Sequence, residues 1–126
     1  MNLLLVGFGG ALGAICRYLL GVQLGRSLGT GWPYGTFAAN VIGGLAMGLL
    51  VGFLAFRGVE DQDRLRLLLG VGVLGGFTTF SSFSLEVVRM IEARNLGQAA
   101  GYVGASVVLA VGAVLLGMIA ARRVFA

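Results

Sequence analysis

The sequence predicts an all-α integral membrane protein with four transmembrane helices in a single domain, residues 1–126, the third helix broken near its middle. Three observations lead there. The chain has 126 residues, of which 58% are hydrophobic and only 11% charged. Its mean hydropathy is +0.97, a balance unlike that of soluble domains. The apolar residues gather into four stretches, each near or above the roughly 20 residues that a helix needs to cross a bilayer core. The third stretch carries a run of Gly, Thr and Ser from Gly75 to Ser84. Polar groups of that kind are expensive in lipid unless each finds a partner.

The first segment runs from about Leu3 to Leu24. No basic stretch precedes it and no small-residue cleavage site ends it, so it reads as a span of the mature protein. A connection rich in Gly and Ser follows, from Arg26 to Pro33, the only proline. The second segment spans about Tyr34 to Phe56, with Thr36 and Asn40 four apart on one face. Arg57 to Arg64 forms an acidic connection with Glu60, Asp61 and Asp63. The third segment, about Leu65 to Ile91, is too long. Its 27 residues make about 40 Å of helix against a core of roughly 30 Å. Tilt absorbs some excess; a break at Gly75-Gly76 absorbs it too, with Thr78 or Thr79 capping the second half. A broken helix brings carbonyl oxygens to the midplane, where they favour a cation. A five-residue turn, Arg94 to Gln98, leads to the fourth segment, about Ala99 to Ala121.

Composition excludes several classes. Histidine is absent and Cys16 is the single cysteine, which rules out an internal disulfide and a Cys/His metal cluster. Cys16 reads as a small buried hydrophobe. The net charge is +4 and all nine basic residues are arginine, dispersed at segment ends. That pattern fits membrane flanks and not a nucleic-acid surface. Neither a nucleophile with a base beside it nor a phosphate-binding glycine loop is present, so no enzyme site is expected.

Glycines spaced by four put small residues on one helix face: Gly9 and Gly13; Gly21, Gly25 and Gly29; Gly44, Gly48 and Gly52. Such faces serve packing within a subunit or an interface between subunits. With the N-terminus and the second connection on one side, five arginines face three or four on the other. So weak a bias permits insertion in both orientations, and hence pairing with an inverted copy.

The polar residues of the spans point to a small anion. Asn40 offers two N–H donors within the second segment, either as glue between helices or as part of a pathway. Phe80 and Phe83 lie three apart, and aromatic edges carry partial positive charge. Weak donors of this kind permit both capture and release, which conduction requires. Tyr102 and Ser106 are again four apart, as a line of donors or as helix–helix contacts. Arg17 and Glu86 are the charges closest to the core, as a structural ion pair or at a vestibule.

Three motifs resemble those of the Fluc (CrcB-type) fluoride channels: Gly9-Gly10-Ala11-Leu12-Gly13-Ala14-Ile15-Cys16-Arg17-Tyr18, Gly35-Thr36-Phe37-Ala38-Ala39-Asn40-Val41-Ile42-Gly43, and Gly75-Gly76-Phe77-Thr78-Thr79-Phe80-Ser81-Ser82-Phe83. They occur in order on the first three spans, and the resemblance covers essentially the whole chain. It implies a dual-topology, antiparallel homodimer in the bacterial plasma (inner) membrane. Two pores would pass F⁻ passively and protect the cell from fluoride. Phe80 and Phe83 would turn ring edges to the ion, Asn40 would be the pore amide, Thr36 a hydroxyl near the vestibule, and Thr79 a further pore residue. The carbonyls of Gly75 and Thr78 from both subunits would hold a structural Na⁺ at the dimer centre. Arg17 matches the family's first-helix arginine. Tyr102 and Ser106 resemble its fourth-helix polar track, short here because Ala110 and Ala113 follow. The partners implied are fluoride, the lipid bilayer and a second copy, with no nucleic acid. Two other readings stand beside it: a small proton-coupled multidrug-type exporter, which needs a titratable carboxylate in the membrane, and a non-transporting membrane scaffold.

Overall fold

The computed structural model describes residues 1–58 and 60–126; Val59, in the second connection, lies outside them. Helix α1 is Asn2–Leu28 and α2 is Tyr34–Arg57. The third segment begins with α3, residues 62–77, and continues as α4, Phe80–Glu92. Helix α5 is Leu96–Phe125. Taking α3 and α4 as one bent span, four helices are long and apolar enough to cross a membrane. These spans contain the four expected segments and extend them by a few residues at most ends.

The bend in the third segment does not fall at Gly75-Gly76. Gly75 has helical dihedrals, φ −63° and ψ −37°, and the helix runs on through Gly75–Phe77. Thr78 (φ −85°, ψ 157°) and Thr79 (φ −153°, ψ 123°) are the extended residues. The glycines answer a different need, close approach to α1. A Cβ on Gly76 would stand 2.5 Å from the Gly10 carbonyl oxygen. Thr79 caps α4 as expected, its side chain accepting the Ser82 N–H at 3.2 Å. Thr78 serves the other side of the bend, its hydroxyl donating to Leu74 O at 2.9 Å.

A second device was not legible in the sequence. Arg66–Leu74 of α3 winds as a π-helix. Bonds from i to i+5 widen a helix and shorten its rise. The excess length of the third segment is thus absorbed by wide winding as well as by the bend. This stretch lies against α1, where a Cβ on Gly72 would stand 3.0 Å from Gly9 Cα.

Most of the spaced glycines pack within the subunit. Gly44, Gly48 and Gly52 pack inside the subunit, against Ala110, Val114, Met118 and Ala121 of α5. A Cβ on Gly48 would meet Met118 N at 2.9 Å. Gly9 and Gly13 pack on α3, and Gly21 meets Gly35, whereas Gly29 faces open space. Buried side chains are few: Phe83, Met90, Ala99 and Tyr102 form one cluster, with Trp32, Phe37 and Val87 against it. Cys16, expected to be buried, is exposed. Helix α1 turns only one face to the rest of the chain, and Phe8, Ile15 and Leu19 look outward with Cys16.

Candidate functional site

Asn40 and Thr79 organise the site. Asn40 comes from the second turn of α2, and the bend brings Thr79 against it. The Thr79 N–H donates to Asn40 Oδ1 at 2.8 Å, and Asn40 Nδ2 donates to Thr79 O at 3.0 Å. The amide thus pairs with both backbone groups of one residue as a neighbouring β-strand would. A primary amide has two N–H donors, so one remains beyond this pair.

Around this joint opens a cavity of about 360 Å³. Asn40, Thr79, Phe80, Phe83 and Ser106 all line it, and no ionisable side chain does. The two phenylalanine rings are 5.6 Å apart and inclined at 42°. Their surroundings differ: Phe83 is 8% exposed, whereas Phe80 is 78% exposed at the open edge. Ser106 is 6% exposed. Its hydroxyl is buried and has no hydrogen-bond partner among the described residues. Buried polar groups are normally paired, so an orphaned hydroxyl on a cavity wall marks a place where a ligand can sit.

The other expected residues lie behind Phe83. Tyr102 is fully buried and its ring lies 5.1 Å from that of Phe83, inclined at 50°. Its hydroxyl donates to Glu86 Oε2 at 3.5 Å, and the Thr36 hydroxyl donates to Glu86 Oε1 at 2.6 Å. Thr36 also lines a second cavity of about 590 Å³, between α1 and the start of α2, together with Arg17. The candidate residues therefore fall into two groups joined through Phe83, not one continuous line.

Arg17 and Glu86 do not pair. Arg17 Nε donates to Gly76 O at 3.2 Å, because α1 packs on α3, while both Glu86 oxygens are engaged by Thr36 and Tyr102. Arg17 takes the carbonyl that lies between the two expected to bind a cation. Gly75 O would ordinarily accept from the Thr79 N–H four residues on, but that N–H goes to Asn40. Thr78 O would accept from the Ser82 N–H, which goes to the Thr79 hydroxyl. Both carbonyls are left without their helical donors, a state that suits a hard cation such as Na⁺.

One residue at the site was missed from the sequence. Trp32 packs within 5.1 Å of the Tyr102 ring and lines the 590 Å³ cavity. It stands in a connection, where hydropathy carries no signal. Its only mark is to be the sole tryptophan, next to the sole proline.

Comparison with known proteins bears on the whole chain. The family described as CrcB-like protein, Camphor Resistance (CrcB), matches residues 4–118. A protein of Phenylobacterium zucineum (strain HLK1), named fluoride-specific ion channel FluC, is 66% identical over 124 residues, covering 98% of each chain. One of the same name from Caulobacter sp. (strain K31) is 58% identical over 98% of this chain and 97% of its own. Another, from Agrobacterium fabrum, is 46% identical over 99% of each.

Proposed function

The chain belongs to the CrcB family, and from that premise we propose that it is a fluoride-specific ion channel, a multi-pass protein of the bacterial cell membrane that passes F⁻ down its electrochemical gradient. It carries out transport, not catalysis. The observation that carries the reading is the 360 Å³ cavity. It gathers a buried orphan hydroxyl on Ser106, the remaining Asn40 N–H and the rings of Phe80 and Phe83, with no ionisable side chain on its wall. Neutral donors and ring edges attract a small anion without holding it. A fixed guanidinium at the same place would slow its release. Thr79 supplies a further hydroxyl on that wall, while Thr36 and Tyr102 hold Glu86 behind Phe83 and Arg17 stands at the second cavity.

The functional unit on this reading is an antiparallel homodimer with two pores. Phe80 supports it: a pore phenylalanine that is 78% exposed on one chain needs a second copy to close the path around it. The weak arginine bias supports inversion. We read the bend at Thr78–Thr79 as the broken third helix of the family. Its undonated Gly75 and Thr78 carbonyls, two from each subunit, would hold a structural Na⁺ at the dimer centre. Bound there, the ion would offset the partial charges of four converging carbonyls and lock the two bends together.

The test is fluoride efflux from liposomes loaded with KF, against KCl as control. Rapid F⁻ efflux with no Cl⁻ efflux is expected; absence of F⁻ efflux from folded protein would overturn the assignment. Tags on the C-terminus should be found on both sides of the membrane, and tags on one side only would remove the inverted pair.

A further inference from the structure

The connection between α1 and α2 carries a residue that the anion path described above has not used. Trp32 is half-buried and touches three rings. Phe37 lies 5.0 Å away at 68° and Tyr102 5.1 Å away at 80°, both edge-to-face, and Tyr34 lies 5.1 Å away at 54°. The connection itself is tied to the start of α5, where Gln98 Nε2 donates to Gly31 O at 3.4 Å. Trp32 therefore has the 590 Å³ cavity, with Arg17 and Thr36, as one environment and the fully buried Tyr102 as the other.

What Tyr102 does makes this placement matter. Its hydroxyl reaches Glu86 Oε2 at 3.5 Å, the outer limit for a hydrogen bond. A small rotation or slide of the ring would break that contact. Its ring packs against both Phe83 and Trp32, each 5.1 Å away. Water admitted from the larger cavity would compete for the same hydroxyl and for the Glu86 oxygens, which accept from Thr36 and Tyr102.

We propose that Trp32 is a positioning residue of the anion path: it walls Tyr102 off from the 590 Å³ cavity and holds its ring so that the hydroxyl stays on Glu86. The inference rests on the fluoride-channel reading. Trp32 acts through Tyr102 and needs no contact with the ion. An edge-to-face partner is what the position requires, so phenylalanine can stand in for it and an aliphatic side chain cannot.

The experiment is F⁻ efflux from liposomes, normalised to folded dimer, for wild type, Trp32→Phe, Trp32→Leu, Trp32→Ala, Tyr102→Phe and the Trp32→Leu/Tyr102→Phe double variant. Trp32→Leu and Trp32→Ala should lower flux by about tenfold, while Trp32→Phe stays within about twofold of wild type. Tyr102→Phe should lower flux measurably, and adding Trp32→Leu to it should lower it no further. A residue with only a structural role would reduce the yield of folded dimer, leave flux per dimer unchanged and show no dependence on the Tyr102 hydroxyl. Wild-type flux in Trp32→Leu, or a full further tenfold loss in the double variant, overturns the inference and leaves the channel assignment standing. No flux in the wild type overturns the assignment and the inference with it. Trp32→Leu decides the matter where Trp32→Ala does not fold.

Discussion

Replacing Asn40 with aspartate changes one atom and tests the whole electrostatic logic of the cavity. Asn40 Oδ1 accepts the Thr79 N–H at 2.8 Å, and an aspartate oxygen in its place keeps that bond. The second oxygen replaces Nδ2, 3.0 Å from Thr79 O, and a donor becomes an acceptor facing an acceptor. Loss of that bond accounts for about 1 kcal/mol, or less than tenfold in rate. The charge is the larger effect. An anion hydrogen-bonded to the Asn40 amide would lie ~3 Å from Nδ2, hence ~4 Å from a carboxylate charge. At an effective dielectric of ~20, two like unit charges at that distance repel by about 4 kcal/mol. Raised onto the barrier, this is roughly a thousandfold. Fluoride efflux of Asn40→Asp in liposomes should therefore fall by two to three orders of magnitude (~10²–10³), and by much more than that of Asn40→Ala, which removes the amide without adding charge. Efflux within about twofold of wild type from folded Asn40→Asp dimers would refute the placing of the anion beside this amide.

Ser106→Ala removes the orphaned hydroxyl of the cavity and should lower F⁻ efflux by about tenfold, the worth of one donor to an anion, with thermal stability unchanged or raised because no partner is left behind. Phe80→Ile should cut efflux sharply while the dimer survives on a sizing column. Gly48→Ala forces a Cβ to 2.9 Å from Met118 N and should destabilise by about 1–3 kcal/mol, whereas Gly101→Ala, with open space around it, should stabilise by up to ~1 kcal/mol; melting curves in detergent distinguish them. Arg94 holds φ 58° in the turn after α4, a left-handed conformation that costs a side chain about 1 kcal/mol, so Arg94→Gly should raise the melting temperature. Exchanging Na⁺ for N-methylglucamine during purification should lower dimer stability, and an unchanged melting curve would remove the cation from the dimer centre.

The spans were legible because burial in lipid writes itself into hydropathy, and Leu3–Leu24 or Ala99–Ala121 needs no knowledge of its neighbours. The bend was legible as a polar run but was displaced by three residues. Glycine propensity argued for Gly75-Gly76, yet Gly76 is small because Gly10 of α1 lies against it, and a partner 66 positions away leaves no local trace. The π-helical winding of Arg66–Leu74 left none either; the stretch lies against α1, far away in sequence. Arg17 and Glu86 were open as an ion pair on charge alone. The structure divides them because Thr36 and Tyr102 present hydroxyls to both carboxylate oxygens, and charge pairing in sequence cannot foresee competition from neutral donors. Trp32 was missed for the opposite reason: it lies in a connection, and its worth comes only from Tyr102, 70 positions later.

The Asn40–Thr79 pairing ties the two proposed ion sites to one cause. By accepting the Thr79 N–H, Asn40 takes from Gly75 O its helical donor. By donating to Thr79 O as well, it holds that residue extended, the Thr79 hydroxyl caps Ser82, and Thr78 O is without its helical donor too. The same extended pair starts α4 at Phe80 and sets Phe80 and Phe83 on the cavity wall. A carbonyl pair fit for a cation and a ring pair fit for an anion therefore arise from a single side-chain amide, which still has one N–H for the anion. A substitution at Asn40 must disturb both sites, whereas one at Ser106 disturbs only the anion's. Sodium dependence of dimer stability should accordingly weaken in Asn40→Ala and persist in Ser106→Ala, and equal sodium dependence in the two would separate the bend from the amide.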